Sequence, residues 1–255
     1  MTTLARVGLG IVGFVVFLLA WQAMLWLGIA SDRVLAYPST LVAFLASRPA
    51  LGDLWRAALA SAWQFAASFG IAGLLGLVAG VGLGWYRRAG ALLEPLLAAT
   101  NAAPLIAVIP LLVIILGLGA ATELVIVGVF AFFPVYFAVS SAAADVDAQL
   151  VRMCRSFGGS EWHVLGGIVL PSVVPAIISG LRLGIGRALT ALVVVELFMG
   201  RGGLGSIIID SVNQGRPNLA LLAVVTLGAA NLAASGLLRL LQNSVEVWRP
   251  SQAAR

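Results

Sequence analysis

The side chains that could do chemistry are few: one histidine, His163, one cysteine, Cys154, and fifteen basic residues that are all arginine. A phosphate-binding loop of the Gly-x-x-x-x-Gly-Lys-Ser/Thr type needs a lysine, so the chain cannot supply that ATP-binding chemistry itself. A lone cysteine allows no intrachain disulfide. A lone histidine without Cys or His companions points to no zinc site and no Ser/His/Asp or Cys/His nucleophile. His163 is therefore expected in a solvated or partner-facing role, and Cys154 as a small residue on a packed helix face. No catalytic residue, metal or cofactor is expected, so the protein is not read as an enzyme.

The remaining ionisable candidates sit where charge is costly. Arg182, Arg187 and Glu196 fall in an apolar run from about Ser172 to Met199. A charge at the centre of a membrane helix costs about 2.5–3.5 kcal/mol on insertion scales, which makes each a candidate for a solute path. Helical spacing separates them: nine residues put Arg187 and Glu196 on opposite faces, and Arg182 and Glu196 share a face about 21 Å apart. Acids are not expected to pair inside the spans, which leaves intramembrane proteolysis by carboxylates unsupported.

The elements that carry these residues are membrane helices. A chain of 255 residues that is 61% hydrophobic and 10% charged, with mean hydropathy +1.07, departs far from soluble domains, where about 25% of residues are charged. The net charge of +5 is dispersed between apolar runs rather than gathered in a stripe, which argues against nucleic acid. The pattern predicts an all-α polytopic protein of about six spans. The first covers residues 8 to 29. Residues 31 to 60 are expected as short amphipathic helices outside the bilayer, followed by a second span over 61–85 whose Gly73, Gly76, Gly80 and Gly84 share one face open to close helix approach. A third span over 92–116 is broken by Pro95, Pro104 and Pro110, and further spans follow over 121–143, 172–199 and 219–241. Arginine counts between the spans favour a cytoplasmic N-terminus, seven against five, and six spans return the C-terminus to the same side.

Between the fourth and fifth spans lies Asp145–Pro171, which is too polar for lipid. A short helix is expected up to Phe157, a break at Gly158-Gly159, and a second short helix after Ser160 as its N-cap, starting at Glu161. This segment resembles the cytoplasmic loop of permease subunits of bacterial ABC importers, written Glu-Ala-Ala-x-x-x-Gly, nine residues, then Ile-x-Leu-Pro. Gly158, Ile168, Leu170 and Pro171 stand at that spacing. Arg152, Met153 and Cys154 replace the Glu-Ala-Ala. Pro104 to Leu111, Gly117 to Gly119 and Phe132-Phe133-Pro134 are similar to nitrate, sulfonate and taurine-type permeases, as are Gly180-Leu181-Arg182, Gly186-Arg187-Ala188 and Glu196.

The resemblance implies a type I (MetI-like) permease with an N-terminal span and periplasmic segment over 1–60. It implies a permease core over 61–245, with a coupling loop at 145–171, and a cytoplasmic tail over 246–255. The loop, with Arg152, Met153, Cys154, Arg155, Gly158, Gly159, Ser160, Glu161, Trp162, His163, Ile168, Leu170 and Pro171, would dock on one of two cytoplasmic ATP-binding subunits. A second copy of the permease and a periplasmic solute-binding protein complete the implied assembly in the bacterial inner membrane. The cargo would be a small solute such as a sulfonate, taurine or nitrate, and an arginine-lined route suits an anion. At position 152 the partner would offer an acid, or Glu161 would take over the pairing. An ATPase-independent secondary transporter and a membrane scaffold are the alternatives; both leave the loop idle.

Overall fold

In the computed structural model the described residues are 3–29, 31, 35–45, 48–200 and 202–246, and they contain helices and turns but no strand. Asp32, Arg33, Arg201 and the expected tail beyond residue 246, with Arg249 and Arg255, lie outside them. The helices are α1 (Thr3–Trp26), α2 (Pro38–Leu45), α3 (Arg48–Trp85), α4 (Arg87–Ala102), α5 (Leu105–Leu116) and α6 (Ala120–Ala144). They continue as α7 (Ala148–Ser156), α8 (Glu161–Val164), α9 (Leu170–Met199), α10 (Leu204–Asn213) and α11 (Pro217–Glu246). Five of these stretches are long and apolar enough to cross a membrane, and the bent pair α4–α5 makes a sixth candidate.

Three expectations are corrected. Residues 48–60 do not form separate short helices. They are the first turns of α3, 38 residues or about 57 Å long, because the alanine-rich run after Trp55 has no glycine or proline to stop it. The third span, expected to break at Pro95, Pro104 and Pro110, breaks at Pro104 alone: α4 and α5 meet at 95° across Ala103-Pro104, while Pro95 and Pro110 sit inside helices. The stretch after Met199 holds a further helix, α10. It ends with Gly215 at φ 64°, where Gly215 N–H donates to Val212 O and Arg216 N–H to Ser211 O, and Pro217 then opens α11.

The chain divides into two compact units. One comprises residues 1–61 and 200–228, with Leu54, Ala57, Leu204, Leu222 and Ala223 as its core. There the Leu204 N–H, left without a helical partner at the start of α10, donates to the buried Ser61 Oγ at 2.9 Å. The other unit comprises residues 62–199 and 229–255 and is organised around α6. Gly76 and Gly80 of α3 face α6 as their spacing predicts: a Cβ on Gly80 would lie 2.8 Å from the Val139 Cβ and 3.0 Å from the Tyr136 carbonyl. Constant offsets in these contacts make α3 and α6 parallel. The contacts between α6 and α9 run the other way, from Gly180 against Val135 to Gly184 against Ala131, so that pair is antiparallel.

Candidate functional site

The loop between α6 and α9 is built from local hydrogen bonds. Asp147 caps α7, its carboxylate accepting from Gln149 N–H at 2.7 Å. The helix stops at Gly158, whose φ of 79° lets its N–H reach Arg155 O while Gly159 N–H reaches Cys154 O, both at 3.0 Å. Gly159 is needed for a different reason: a Cβ there would stand 2.5 Å from Cys154 Sγ and 2.8 Å from Cys154 O. Half-buried Cys154 packs against the buried cluster that includes Val151 and Val164.

Ser160 starts the next helix, and His163 closes its first turn. The His163 Nδ1 accepts from Ser160 N–H at 3.3 Å and lies 2.7 Å from Ser160 Oγ. The histidine thus takes the place that Glu or Gln fills in the usual capping box. Capping was not among the roles expected of His163.

The second arm of this corner is not a free short helix. After four residues, α8 passes through a π-helical turn, Leu165–Val169, directly into α9, so residues 161–199 form one continuous stretch. Ile168 and Gly166-Gly167 lie in that turn, and Leu170-Pro171 follow at the start of α9. A proline cannot donate to the preceding turn, and a π turn is one way to absorb the missing bond.

Glu161 ties the corner to a distant helix. Its Oε1 accepts from the Trp85 indole N–H at 2.6 Å and its Oε2 from the Arg155 guanidinium at 2.9 Å. Both Glu161 oxygens thus have a partner within the chain, which the sequence did not announce. Glu161 belongs to the polar 145–171 segment and precedes the apolar run that starts at about Ser172. The Trp85 indole first, and then Arg155, hold its carboxyl below the usual carboxylate range. What the corner exposes is apolar and basic: Phe157 is 85% exposed and Trp162 81%, with Met153 and Arg152 also open.

The three charges of α9 do not form one cluster. Glu196 is buried and Arg187 exposed, on opposite faces as the spacing predicts, and Arg182 is exposed one and a half turns earlier. Arg187 instead meets Asn101, at the end of α4, its guanidinium donating to Asn101 Oδ1 at 3.1 Å. This partner lies 86 residues away, and no sequence pattern announced it. Glu196 has an acidic neighbour in Glu123 of the first turn of α6, and both are buried. The expectation that no acids pair among the spans is corrected accordingly. Among the described residues, no group of three or more His, Cys, Asp or Glu could hold a metal ion.

Residues 72–247 match the family described as the binding-protein-dependent transport system inner membrane component. The chain belongs to this family. It is the membrane subunit of an ABC importer, a multi-pass helical permease. One relative, from Bacillus subtilis (strain 168), is provisionally named an aliphatic sulfonates transport permease protein. It is 29% identical over 237 residues, covering 92% of this chain and 86% of its own. A riboflavin transport system permease protein of Chloroflexus aurantiacus is 29% identical over 167 residues, 66% of this chain and 61% of its own. The taurine transport system permease protein of Escherichia coli (strain K12) is 30% identical over 152 residues, 60% and 55%.

Proposed function

We propose that this permease subunit imports a small anionic solute of the sulfonate, taurine or nitrate kind, by alternating access driven from a separate ATP-binding subunit docked on the 145–171 loop. The loop faces the cytoplasm in this reading, as do both termini. A homodimer forms the pathway, two ATP-binding subunits engage the two loops, and a periplasmic solute-binding protein delivers the cargo. Relatives named for sulfonates and taurine support the solute class, and the absence of lysine from the chain supports ATP hydrolysis by a partner.

The observation that carries the reading is the contrast inside the corner. Glu161, Ser160 and His163 are bonded within the chain, while Phe157 and Trp162 lie bare. A polar loop that closes its own hydrogen bonds and exposes aromatic side chains has the makings of a protein interface, where buried aromatics act as anchors. Arg152 beside them favours an acid on the partner. Mechanically, force on α7 passes through the Gly158 corner and the Glu161 brace to α9 and α3, because α8 is continuous with α9 and Trp85 ends α3.

Co-purification with the candidate ATP-binding subunit tests this. The wild-type chain should retain that subunit, and the double variant Phe157→Ala, Trp162→Ala should retain at least about tenfold less, as expected for the loss of two aromatic anchors. A wild-type chain that retains none, or ATP-independent uptake, contradicts the reading.

A further inference from the structure

We infer that Arg187 and Asn101, at the bend between α4 and α5, form the solute site of this subunit, and that the site takes an alkane- or arenesulfonate with an uncharged tail in preference to taurine or nitrate. This rests on the anion-import reading above and narrows it to one place and one chemistry.

The bend brings three sources of positive potential together. Arg187 stands near the middle of the apolar part of α9, about 22 Å along the axis from Ser172 and about 18 Å from Met199. One of its N–H groups is taken by Asn101 Oδ1. Because the guanidinium only donates, the amide must turn its oxygen toward it, which leaves the Asn101 NH2 and the remaining guanidinium N–H groups as donors. The third source is the N-terminal end of α5, which begins at the bend after Pro104 and carries the positive end of the helix dipole. Broken spans that aim a half-helix N-terminus at an anion are a recurrent way to hold solute at mid-membrane.

Two cavities, of about 450 and 440 Å³, are both lined by Asn101 and Arg187. The first also meets Leu105, Ile106 and Phe130, and the second meets Phe133, Phe137 and Leu183. An oxyanion on the donors would thus have apolar walls beside it for an organic tail. Nitrate has no tail and would leave those walls unused. Taurine carries an ammonium group, and among the described residues neither lining includes a carboxylate to receive it. Uncompensated burial of that ammonium opposes taurine.

The test uses the permease with its ATP-binding subunits in nanodiscs and radiolabelled ethanesulfonate as probe, measured by equilibrium binding. Wild type should bind, Arg187→Gln should bind at least about tenfold more weakly, as for loss of a hydrogen-bonded charge, and Asn101→Ala should weaken binding a few-fold. Arg187→Lys, which keeps the charge without the planar fork, should fall between wild type and Arg187→Gln. If Arg187→Gln does not assemble, the Asn101→Ala and Arg187→Lys values decide. Taurine and nitrate should compete at least about tenfold more weakly than unlabelled ethanesulfonate. Wild type binding no ethanesulfonate, variants binding as wild type does, or taurine competing equally would each overturn the site assignment. Failure of the ATP-binding subunit to co-purify is a separate result and overturns the import reading instead.

Discussion

Two of the interruptions in the chain's helices, at Gly158 and at Pro104, are made in opposite ways. At Gly158 the break is a glycine in left-handed conformation, and the polar groups around it are closed: the end of α7 by Gly158 and Gly159 N–H, the start of α8 by His163, and Glu161 by Trp85 and Arg155. At Pro104 the break is a 95° bend with no side-chain cap on α5, and the guanidinium of Arg187 beside it has one neutral partner. A corner whose backbone ends and Glu161 are already bonded within the chain is held in one shape, so it suits force transmission. An open bend keeps donors in reserve, so it suits binding. The same device, a broken helix, thus serves as lever or as site according to how many donors the local structure consumes.

The largest effect should come from breaking the closed corner. Gly158→Val forces a β-branched residue to a φ near 79°, a cost of about 1–2 kcal/mol before the two cap bonds are counted, so retention of the ATP-binding subunit and ATP-driven uptake should each fall by about tenfold or more. Uptake assays beside a co-purification read this. Unchanged values would mean the corner carries no load.

Next in size is the open bend. Pro104→Ala restores a backbone donor and frees Ala103 from the restriction that a following proline imposes, so α4 and α5 should straighten. The KM for solute should rise by about fivefold while the ATP-binding subunit is still retained, a misplacement effect on a bound solute. Equal losses in KM and in subunit retention would erase the distinction between the two breaks.

The smallest effect concerns the brace. Trp85→Phe removes the indole donor to Glu161, a solvent-screened bond, so coupling of ATP hydrolysis to uptake should drop only about two- to threefold. The pH dependence has a definite sign. Because the folded carboxyl is held below its usual range, the brace is complete above the ordinary glutamate value. It is lost as pH falls through the lowered folded value. Wild-type coupling should therefore decline only in acid, and Trp85→Phe should decline at a higher pH than wild type.

Local signals were legible in the sequence, and signals between distant residues were not. Gly158 was readable because one residue with a positive φ must end α7, and the Gly76 and Gly80 face was readable because helical spacing alone places it. The apolar lengths of α6 and α11 likewise identify spans without any tertiary information. The continuity of α8 with α9 was hidden because a π turn absorbs Pro171, where proline otherwise suggests a boundary. The separate-helix reading of residues 48–60 gave charged residues more weight than the alanine run that carries α3 through them. Trp85 with Glu161, Arg187 with Asn101, and Glu123 with Glu196 are separated by some 70 to 90 residues, and only packing brings them together.

The most direct measurement concerns the side of the membrane on which the corner lies and what covers it. In a Cys154→Ser background, which removes the chain's one native cysteine, Phe157→Cys places a thiol at the 85% exposed tip of the corner. A membrane-impermeant maleimide should label it in inside-out vesicles and not in right-side-out ones, and bound ATP-binding subunit should protect it. Labelling from the outer side, or labelling unaffected by that subunit, would contradict the account.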